Sequence, residues 1–458
     1  MADTILFPEA FRKRMQVQLQ SNWTSFDEAH QQPAPTSIRL NPFKKNKQDL
    51  VKIPWTSFGF YHETRPSFTF DPHFHAGAYY VQEASSMFLE QALKQSVDLS
   101  QPLRVLDLCA APGGKSTHLL SMINEGSLLV ANEAIRSRAT ILAENILKWG
   151  NINVVVTNND PEDFQKLEGF FDVILVDAPC SGEGLFRKDA NAVQEWSEES
   201  VELCALRQQR ILNQIWPALK QDGILIYCTC TYNEKENEEN IGNVFKGKEA
   251  ESIRLKVEAE WGVEEIEKQG RFGYRFYPHK VRGEGFFISV IRKKEEQKET
   301  EVRARSSFYS PPKKISERSS EWMLHANEAE FVLHEDLILA LPGKHVFEID
   351  YLTKVLKVIQ KGTAIATIKH DKLIPEHSWA LSTQINKKNF PIVELTLDQA
   401  ISFLRKDAQN LVGERGFTLI EFEQNPIGWA NLLGNRTNNL YPSAYRIRSE
   451  FNPALQKK

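Results

Sequence analysis

The sequence predicts an α/β fold, a doubly wound parallel sheet with a small β-rich module after it. Between residues 100 and 230, short apolar segments alternate with segments of helical pattern. The apolar segments are nearly continuous runs of Val, Ile and Leu, which is typical of parallel strands covered by helices on both faces. A glycine-rich loop with Gly113 and Gly114 separates the first of these strands from the next helix. Together these features indicate an open sheet with a ligand site at its edge.

The residues before this region, 1–95, predict a mixed extension. Pro33-Ala34-Pro35 is followed by an apolar-alternating stretch, 37–41. Lys44, Lys45 and Lys47 then form a positive cluster, which is either a solvated loop or a contact to nucleic acid. The pattern of 1–95 alone leaves both readings of the lysine cluster open.

The sheet itself is predicted over residues 96–292. We expect strands over residues 104–109, 128–133, 153–156, 171–177 and 223–228, and helices over 135–149 and 197–216. Gly150 is the expected end of the first of these helices. Two later strands, over 272–278 and 285–291, would close the sheet.

The remaining third of the chain predicts three segments. Residues 293–316 are expected to form a linker, because 292–301 contains no apolar residue and Pro311-Pro312 lies near the far end. Short strands with Gly and Pro turns predict an intermediate β-rich region over 317–388. A separate β-rich module follows over 389–458, with one helix near 397–405.

Composition excludes several classes of protein. The 458 residues are 41% hydrophobic and 25% charged, which is ordinary for a globular protein and not for a disordered or fibrous one. No apolar stretch approaches the ~18 residues of a membrane span, and the N-terminus lacks the pattern of a secretory signal. Five cysteines are too few for a disulfide framework, so we expect a cytoplasmic protein with free thiols. With a net charge of −4, any nucleic-acid partner needs locally basic surfaces.

The glycine-rich loop resembles a phosphate-binding loop but departs from it. Gly114-Lys115-Ser116 matches the second half of the P-loop pattern, yet Cys109 stands where the first glycine belongs. A P-loop enzyme is therefore a minor alternative. Glu133 closes the second predicted strand and could accept hydrogen bonds from ribose hydroxyls, and Asp160 follows the third. These features fit a ligand that contains one nucleoside and no pyrophosphate, which suggests S-adenosylmethionine.

Cysteines stand at the ends of the fourth and fifth predicted strands. Asp177-Ala178-Pro179-Cys180 ends the fourth strand, and Cys228-Thr229-Cys230 ends the fifth. Zinc would need closely spaced ligand pairs, and only Cys228 and Cys230 are close, so we expect no metal. Alternatively, a thiolate that adds to carbon 6 of a pyrimidine makes carbon 5 nucleophilic enough to accept a methyl group. Two thiols, a carboxylate and a methyl donor fit this covalent chemistry.

Several motifs together resemble one family, the Sun-type (NSUN) RNA 5-methylcytosine methyltransferases. They are the stretches 80–87, 106–115, 177–184 and 229–231. Residues 186–189 and 275–280 are similar to the bacterial branch that modifies 16S ribosomal RNA, the RsmF-type branch, and 428–448 resembles its PUA-like domain. The resemblance implies a Rossmann-like class I methyltransferase domain between an N-terminal RNA-binding extension and a C-terminal PUA-like β-rich domain.

The same resemblance implies roles for individual residues. Cys230 would be the nucleophile, Cys180 would assist release of the product, and Asp177 would contact the cytosine beside the cofactor. S-adenosylmethionine would be held by Cys109, Ala110, Ala111, Pro112, Gly113, Gly114, Lys115, Glu133, Asp160 and Asp177. Thr231 and Cys228 depart from the family pattern, where serine is common at both positions.

The resemblance implies 16S ribosomal RNA as the substrate, either within the 30S subunit or as naked RNA. A monomer is the default, because no coiled coil or amphipathic dimer face is evident in the sequence. Cations that could contact the RNA are Arg39, Lys44, Lys45, Arg187, Lys188, Arg436, Arg446 and Arg448. Contacts to phosphate position an RNA but do not select its sequence. Transfer RNA therefore remains an alternative substrate. An alternative enzyme with the same chemistry is a DNA cytosine-5 methyltransferase, in which Cys180 would be the nucleophile. The alternative that is not an enzyme is a ribosome assembly factor.

Overall fold

A computed structural model describes residues 5–46, 49–370 and 372–449. Its N-terminal part has two helices, a four-stranded antiparallel sheet of order β2-β3-β1-β4, and two short helices around the last strand. The elements are α1 (Glu9–Leu19), α2 (Trp23–His30), β1 (Thr36–Leu40), β2 (Val51–Lys52), β3 (Gly59–His62), α3 (Pro72–His75), β4 (Tyr79–Val81) and α4 (Leu89–Lys94). Lys47, one of the clustered lysines, lies outside the described residues.

A large mixed sheet forms the centre of the molecule. Its elements are β5 (Arg104–Asp107), α5 (Gly114–Leu120), β6 (Leu128–Asn132), α6 (Arg136–Trp149), β7 (Val154–Thr157), β8 (Phe171–Asp177), α7 (Ala190–Glu195), α8 (Glu198–Ile215), β9 (Leu219–Thr229), α9 (Glu238–Val244), β10 (Ala250–Ser252), β11 (Glu264–Lys268), β12 (Arg271–Phe276) and β13 (Phe286–Lys293). The strands run in the order β11-β12-β13-β9-β8-β5-β6-β7, and β10 pairs with β13. Strands β5 to β9 are parallel, whereas β13 is antiparallel to β9.

The predicted α/β fold is confirmed, and the boundaries of its elements are close to those expected. The fourth strand spans Phe171–Asp177 as predicted. The helix α6 ends at Trp149, and Gly150 adopts a left-handed conformation with φ of 95° at its C-terminus. Such a conformation favours glycine, which explains why the helix stops there.

The C-terminal third contains two further sheets. Its elements are α10 (Lys313–Glu321), β14 (Ala329–His334), β15 (Leu337–Pro342), α11 (Val346–Val355), β16 (Val358–Lys361), β17 (Thr363–Lys369), β18 (Lys372–Pro375), α12 (His377–Ala380), β19 (Ile392–Glu394), α13 (Leu397–Arg405), β20 (Gly416–Phe422), β21 (Asn425–Leu432) and β22 (Thr437–Asn439). The sheets have the orders β14-β15-β17-β18 and β19-β20-β21-β22. The helix expected near 397–405 is confirmed as α13.

One C-terminal strand departs from the expected organisation. Strand β16 leaves its own region and pairs antiparallel with β7, where Val358 lies opposite Thr157. It thereby extends the central sheet and covers the edge of β7. Buried side chains of the intermediate region, including Leu339 and Ile349, also share a core with the central sheet. Within the described ranges, no helix is long and apolar enough to cross a membrane.

Candidate active site

The carboxyl ends of β5, β6, β8 and β9 meet at one edge of the sheet and carry the candidate site. The loop after β5 turns sharply into α5 because Gly113 has a φ of 111°. A Cβ at Gly113 would also lie 3.3 Å from Leu142 on α6. Only glycine combines this conformation with this close approach. The loop 109–115 therefore lies against α6.

Acidic groups around this loop fit the binding of S-adenosylmethionine. Glu133 follows β6 and is 4% exposed, and its carboxylate accepts a hydrogen bond from the Ile135 amide at 2.9 Å. Its remaining acceptor capacity suits ribose hydroxyls. Asp160 caps the turn after β7 and lies 3.5 Å from Arg210.

Asp107 is a site residue that the motif analysis did not single out. It is fully buried at the end of β5, where its Oδ2 accepts a hydrogen bond from Ser116 at 2.6 Å. Its Oδ1 has no partner among the described residues. Burial raises the pKa of Asp107 to about 7. An unpartnered buried acceptor is costly unless a ligand or water satisfies it, so Asp107 supports the presence of a polar ligand under the loop.

The two candidate catalytic thiols are in contact. Cys180 Sγ and Cys230 Sγ are 3.1 Å apart, and the Cys230 amide donates a hydrogen bond to Cys180 Sγ at 3.4 Å. The hydrogen bond with Cys230 and burial raise the pKa of Cys180 well above its ordinary value. Cys180 is therefore a thiol at neutral pH, and its S–H can point at Cys230 Sγ.

The close approach of the two loops depends on Gly184. Its amide donates a hydrogen bond to the Cys230 carbonyl at 2.8 Å. A Cβ at Gly184 would lie 2.5 Å from the carbonyl oxygen of Gly285 and 2.8 Å from that of Cys230. Since neither backbone oxygen can move away cheaply, glycine is required at this position.

Asp177 lies beside the thiols and pairs with a residue of the cofactor loop. Lys115 Nζ donates a hydrogen bond to Asp177 Oδ2 at 2.7 Å, and Cys228 Sγ donates to Asp177 Oδ1 at 3.4 Å. Burial alone would lower the pKa of Lys115, but the Asp177 carboxylate outweighs it and raises this pKa. Lys115 therefore stays protonated, and its ammonium reaches the catalytic cluster and not only the cofactor loop. Cys228 itself is fully buried.

A second carboxylate supports the Cys180 loop from behind. Glu236 accepts hydrogen bonds from the Ser181 amide at 3.0 Å, from the Ser181 hydroxyl, and from Gln208 at 2.9 Å. The Thr231 hydroxyl is 3.0 Å from the Ser181 hydroxyl, so the threonine that replaces the usual serine still joins this network. Burial raises the pKa of Glu236 to about 7. Sequence reasoning missed Glu236, because its position six residues after Cys230 carries no distinctive signal.

Three cations predicted to contact RNA have structural roles instead. Arg39 is fully buried and donates hydrogen bonds to Gln82, Ser121, Thr117 and the Gly114 carbonyl. The RNA-binding prediction for Arg39 is therefore wrong, since a phosphate cannot reach a guanidinium whose donors are already used.

Lys44 and Arg187 require the same correction. The Lys44 ammonium donates to the backbone carbonyls of Ala76 and Lys148 at 2.5 and 2.6 Å. The Arg187 side chain is 6% exposed and pairs with Glu284 at 2.9 Å. Alternating sequence patterns do not reveal such burial, because the partners lie far away along the chain.

The other five predicted cations are on the surface. They are Lys45, Lys188, Arg436, Arg446 and Arg448. Lys188 is 3.8 Å from Glu284, which leaves its ammonium partly exposed. Trp429 is 1% exposed and belongs to a core, so its ring is not available to stack on a base. Within the described part of the chain, no group of three or more His, Cys, Asp and Glu side chains is arranged to hold a metal ion.

Family comparisons match three consecutive parts of the chain. The description "16S rRNA methyltransferase RsmB/F" matches residues 95–292. The N-terminal domain of 16S rRNA methyltransferase RsmF matches residues 7–84, and the methyltransferase RsmF PUA domain matches residues 390–447.

Solved structures agree on the fold. A methyltransferase homologue from Pyrococcus horikoshii has a TM-score of 0.54 and 27% identity, and the match covers 63% of this chain and 96% of that one. NSun6 from the same organism, solved with SFG, also has a TM-score of 0.54, at 19% identity, over 64% of this chain and 100% of that one.

Full-length relatives carry one name. The ribosomal RNA small subunit methyltransferase F of Aliivibrio fischeri (strain MJ11) is 32% identical, over 96% of this chain and 98% of that protein. Its counterpart in Escherichia coli O157:H7 is 30% identical, over 96% of both chains. Similarity of this extent spans the extension, the methyltransferase sheet and the C-terminal module together. The chain therefore belongs to the RsmF family of 16S rRNA methyltransferases.

Proposed function

We propose that this protein methylates carbon 5 of a cytosine in 16S ribosomal RNA through a covalent adduct between Cys230 and carbon 6 of the base. The observation that carries the proposal is the contact of the Cys180 and Cys230 thiols, 3.1 Å apart, at the edge of the sheet where Lys115 pairs with Asp177 and interacts electrostatically with Cys230. S-adenosylmethionine is the cofactor, and when bound it supplies an electrophilic methyl group.

The chain's own residues account for the remaining steps. The Cys230 thiolate adds to carbon 6, and the electron pair of the 5,6 double bond becomes available at carbon 5. Asp177, held by Lys115 at 2.7 Å, contacts the cytosine ring and stabilises it during addition. After carbon 5 has gained the methyl group it loses its proton to a base, which is either a water or Cys180 after it has given up its own proton. The electron pair of that C–H bond re-forms the double bond and expels the Cys230 thiolate, a release that Cys180 assists.

The surrounding parts of the chain would hold the RNA. We assign an RNA-binding extension to 1–95, the methyltransferase to 96–292, a linker to 293–316, an intermediate region to 317–388 and a PUA-like RNA-binding domain to 389–458. The exposed Lys45, Lys188, Arg436, Arg446 and Arg448 would contact phosphates. We further propose that a monomer acts in the cytoplasm on the 30S subunit without a metal ion.

Methyl transfer from tritiated S-adenosylmethionine tests this proposal. Purified protein is incubated separately with 30S subunits, naked 16S RNA and bulk transfer RNA. We expect label in 30S subunits or 16S RNA, and its complete loss in Cys230→Ala because the nucleophile is removed. Cys180→Ala should accumulate a covalent protein–RNA adduct, since addition proceeds while release fails. Cys204→Ala, on helix α8, is the matched control and should behave as the wild type.

Different outcomes overturn different parts of the proposal. Label only in transfer RNA would contradict the substrate but keep the chemistry. An adduct bond at Cys180 would contradict the assignment of the nucleophile and favour the DNA-type mechanism. No label in any RNA, with normal cell function in a Cys230→Ala strain, would instead support an assembly factor.

A further inference from the structure

A pocket lined by aromatic rings lies outside the catalytic cluster, on the N-terminal sheet. We call it the aromatic pocket; it is lined by Arg65, Phe68, Phe74, Tyr79, Tyr80 and Lys148, among others, and has a volume of about 290 Å³. The ring centroids of Phe68 and Phe74 are 6.5 Å apart, and each is 6.0 Å from that of Tyr79. Phe68 and Phe74 are only half-buried, so their rings present apolar surface to the pocket.

Positive charges flank these rings. The Arg65 guanidinium carbon is 5.4 Å from the centre of the Phe68 ring, and Lys148 Nζ is 5.5 Å from the centre of the Phe74 ring. Rings beside cations form the combination that binds single-stranded nucleic acid, because bases stack on the rings while phosphates pair with the cations.

The aromatic pocket adjoins the cofactor loop. Tyr80 forms one wall of it, and Tyr80 Cε1 lies 3.3 Å from where a Cβ of Gly114 would stand. The next residue, Lys115, holds Asp177. Asn145 also lines the pocket and donates a hydrogen bond to the Pro112 carbonyl of the same loop at 2.8 Å. A strand whose target base reaches Asp177 would therefore pass close to the pocket.

A larger groove continues from the aromatic pocket. Arg65 and Val81 line both, and the groove has a volume of about 1160 Å³. It also carries Lys188 and Arg282, whose guanidinium carbon is 4.3 Å from the centre of the Tyr61 ring. Glu63 and Glu83 also line the groove, and Glu83 accepts hydrogen bonds from the Ser85 and Ser86 amides. The cations along the groove and the rings at its end suit the backbone and the bases of one RNA strand.

We infer that the aromatic pocket captures an unpaired base of the substrate RNA, a neighbour of the target cytosine, by stacking it against Phe68 and Phe74. The inference rests on the proposed function. Flipping the target out of its stack deprives neighbouring bases of a stacking partner. Stacking of one of these bases on Phe68 and Phe74 would offset part of the lost stacking free energy. Such stacking tolerates different bases, because every base has a π-face.

Phe74→Ala tests the inference, with binding of a short fluorescein-labelled oligouridylate and steady-state methylation of 16S RNA as readouts. We expect the Kd for the oligonucleotide and the KM for the RNA to rise about 5- to 100-fold, and kcat to change less. Phe74→Trp should restore both, because it restores a stacking surface. Phe43→Ala is the matched control, since Phe43 is 46% exposed and lies outside the pocket.

Two further measurements keep the inference falsifiable. If Phe74→Ala unfolds, Arg65→Gln removes a surface charge without emptying the pocket, and it should weaken oligonucleotide binding and reduce its salt dependence. The inference would be overturned if Phe74→Ala bound the oligonucleotide as tightly as Phe43→Ala does. It would also be overturned if uridine monophosphate competed as strongly as the unlabelled oligonucleotide. Failure of the proposed function would give a different result from failure of the inference. The wild type would then transfer no methyl group to RNA, but oligonucleotide binding by the variants could still be compared.

Discussion

The charged groups near the catalytic edge differ in kind from those of the C-terminal module. Arg39 is fully buried and Arg187 is 6% exposed, and both donate to several protein acceptors. Arg436, Arg446 and Arg448 are exposed. Residues of the same type therefore hold the fold together in one region and remain available to a partner in the other. Surroundings, and not residue type, separate a structural cation from a binding cation.

Removal of Arg39 should have the largest effect on stability. Arg39→Ala leaves Gln82, Thr117 and the Gly114 carbonyl without their donor, and it removes a guanidinium that lies 4.4 Å from the centre of the Trp149 ring. We expect the free energy of unfolding to fall by about 3–5 kcal/mol, because several buried acceptors lose their donor at once. Urea denaturation measures this change.

Arg436→Ala is the control for Arg39→Ala. Its exposed side chain should contribute less than about 0.5 kcal/mol to stability. Equal losses in the two variants would contradict the contrast between the two regions.

Glu236→Gln should have an intermediate, pH-dependent effect. Because burial raises the pKa of Glu236 to about 7 from 4.5, the folded protein holds this proton more tightly than the unfolded chain does. The resulting stabilisation is complete below pH 4.5 and is lost as the pH rises through 7. We expect the wild type to lose on the order of 2–3 kcal/mol over this window relative to Glu236→Gln, which does not titrate.

Urea denaturation between pH 4.5 and 8 measures this difference. Glu234→Gln is the matched control, because Glu234 is exposed and lies two residues earlier. If the wild type and Glu236→Gln lose stability in parallel with rising pH, the raised pKa is contradicted.

Local signals made much of the fold predictable. We expected two elements within a residue of their observed ends, the strand Phe171–Asp177 and the helix Leu397–Arg405. Both are predicted by apolar runs or helical periodicity, which depend only on residues close together in the sequence. The pairing of strand β16 was not expected, although short strands were predicted over 317–388. Its pairing with Thr157 joins residues some 200 positions apart, and no local pattern in Val358–Lys361 reveals that partner.

The candidate site also has some features that local motifs predict and others that depend on residues distant in the sequence. Motifs placed Cys180, Cys230 and Asp177 at strand ends. The structure brings the two thiols into contact and pairs Asp177 with Lys115, which interacts electrostatically with Cys230. The burial of Arg39 and the support of Ser181 by Glu236 depend on partners about 40 to 80 residues away. Such contacts arise only when the chain folds, so composition and spacing could not reveal them.

Single substitutions in the C-terminal module should have the smallest effects. Arg446→Gln removes one exposed cation, so the free energy of unfolding should stay within about 0.5 kcal/mol of the wild type. If Arg446 contacts a phosphate, the affinity for 16S RNA should fall a few-fold, and the slope of log K against log salt should decrease by about 0.7. Fluorescence titrations at several salt concentrations measure both quantities. An unchanged slope would remove Arg446 from the RNA interface, whereas a large loss of stability would place it with Arg39 among the structural cations.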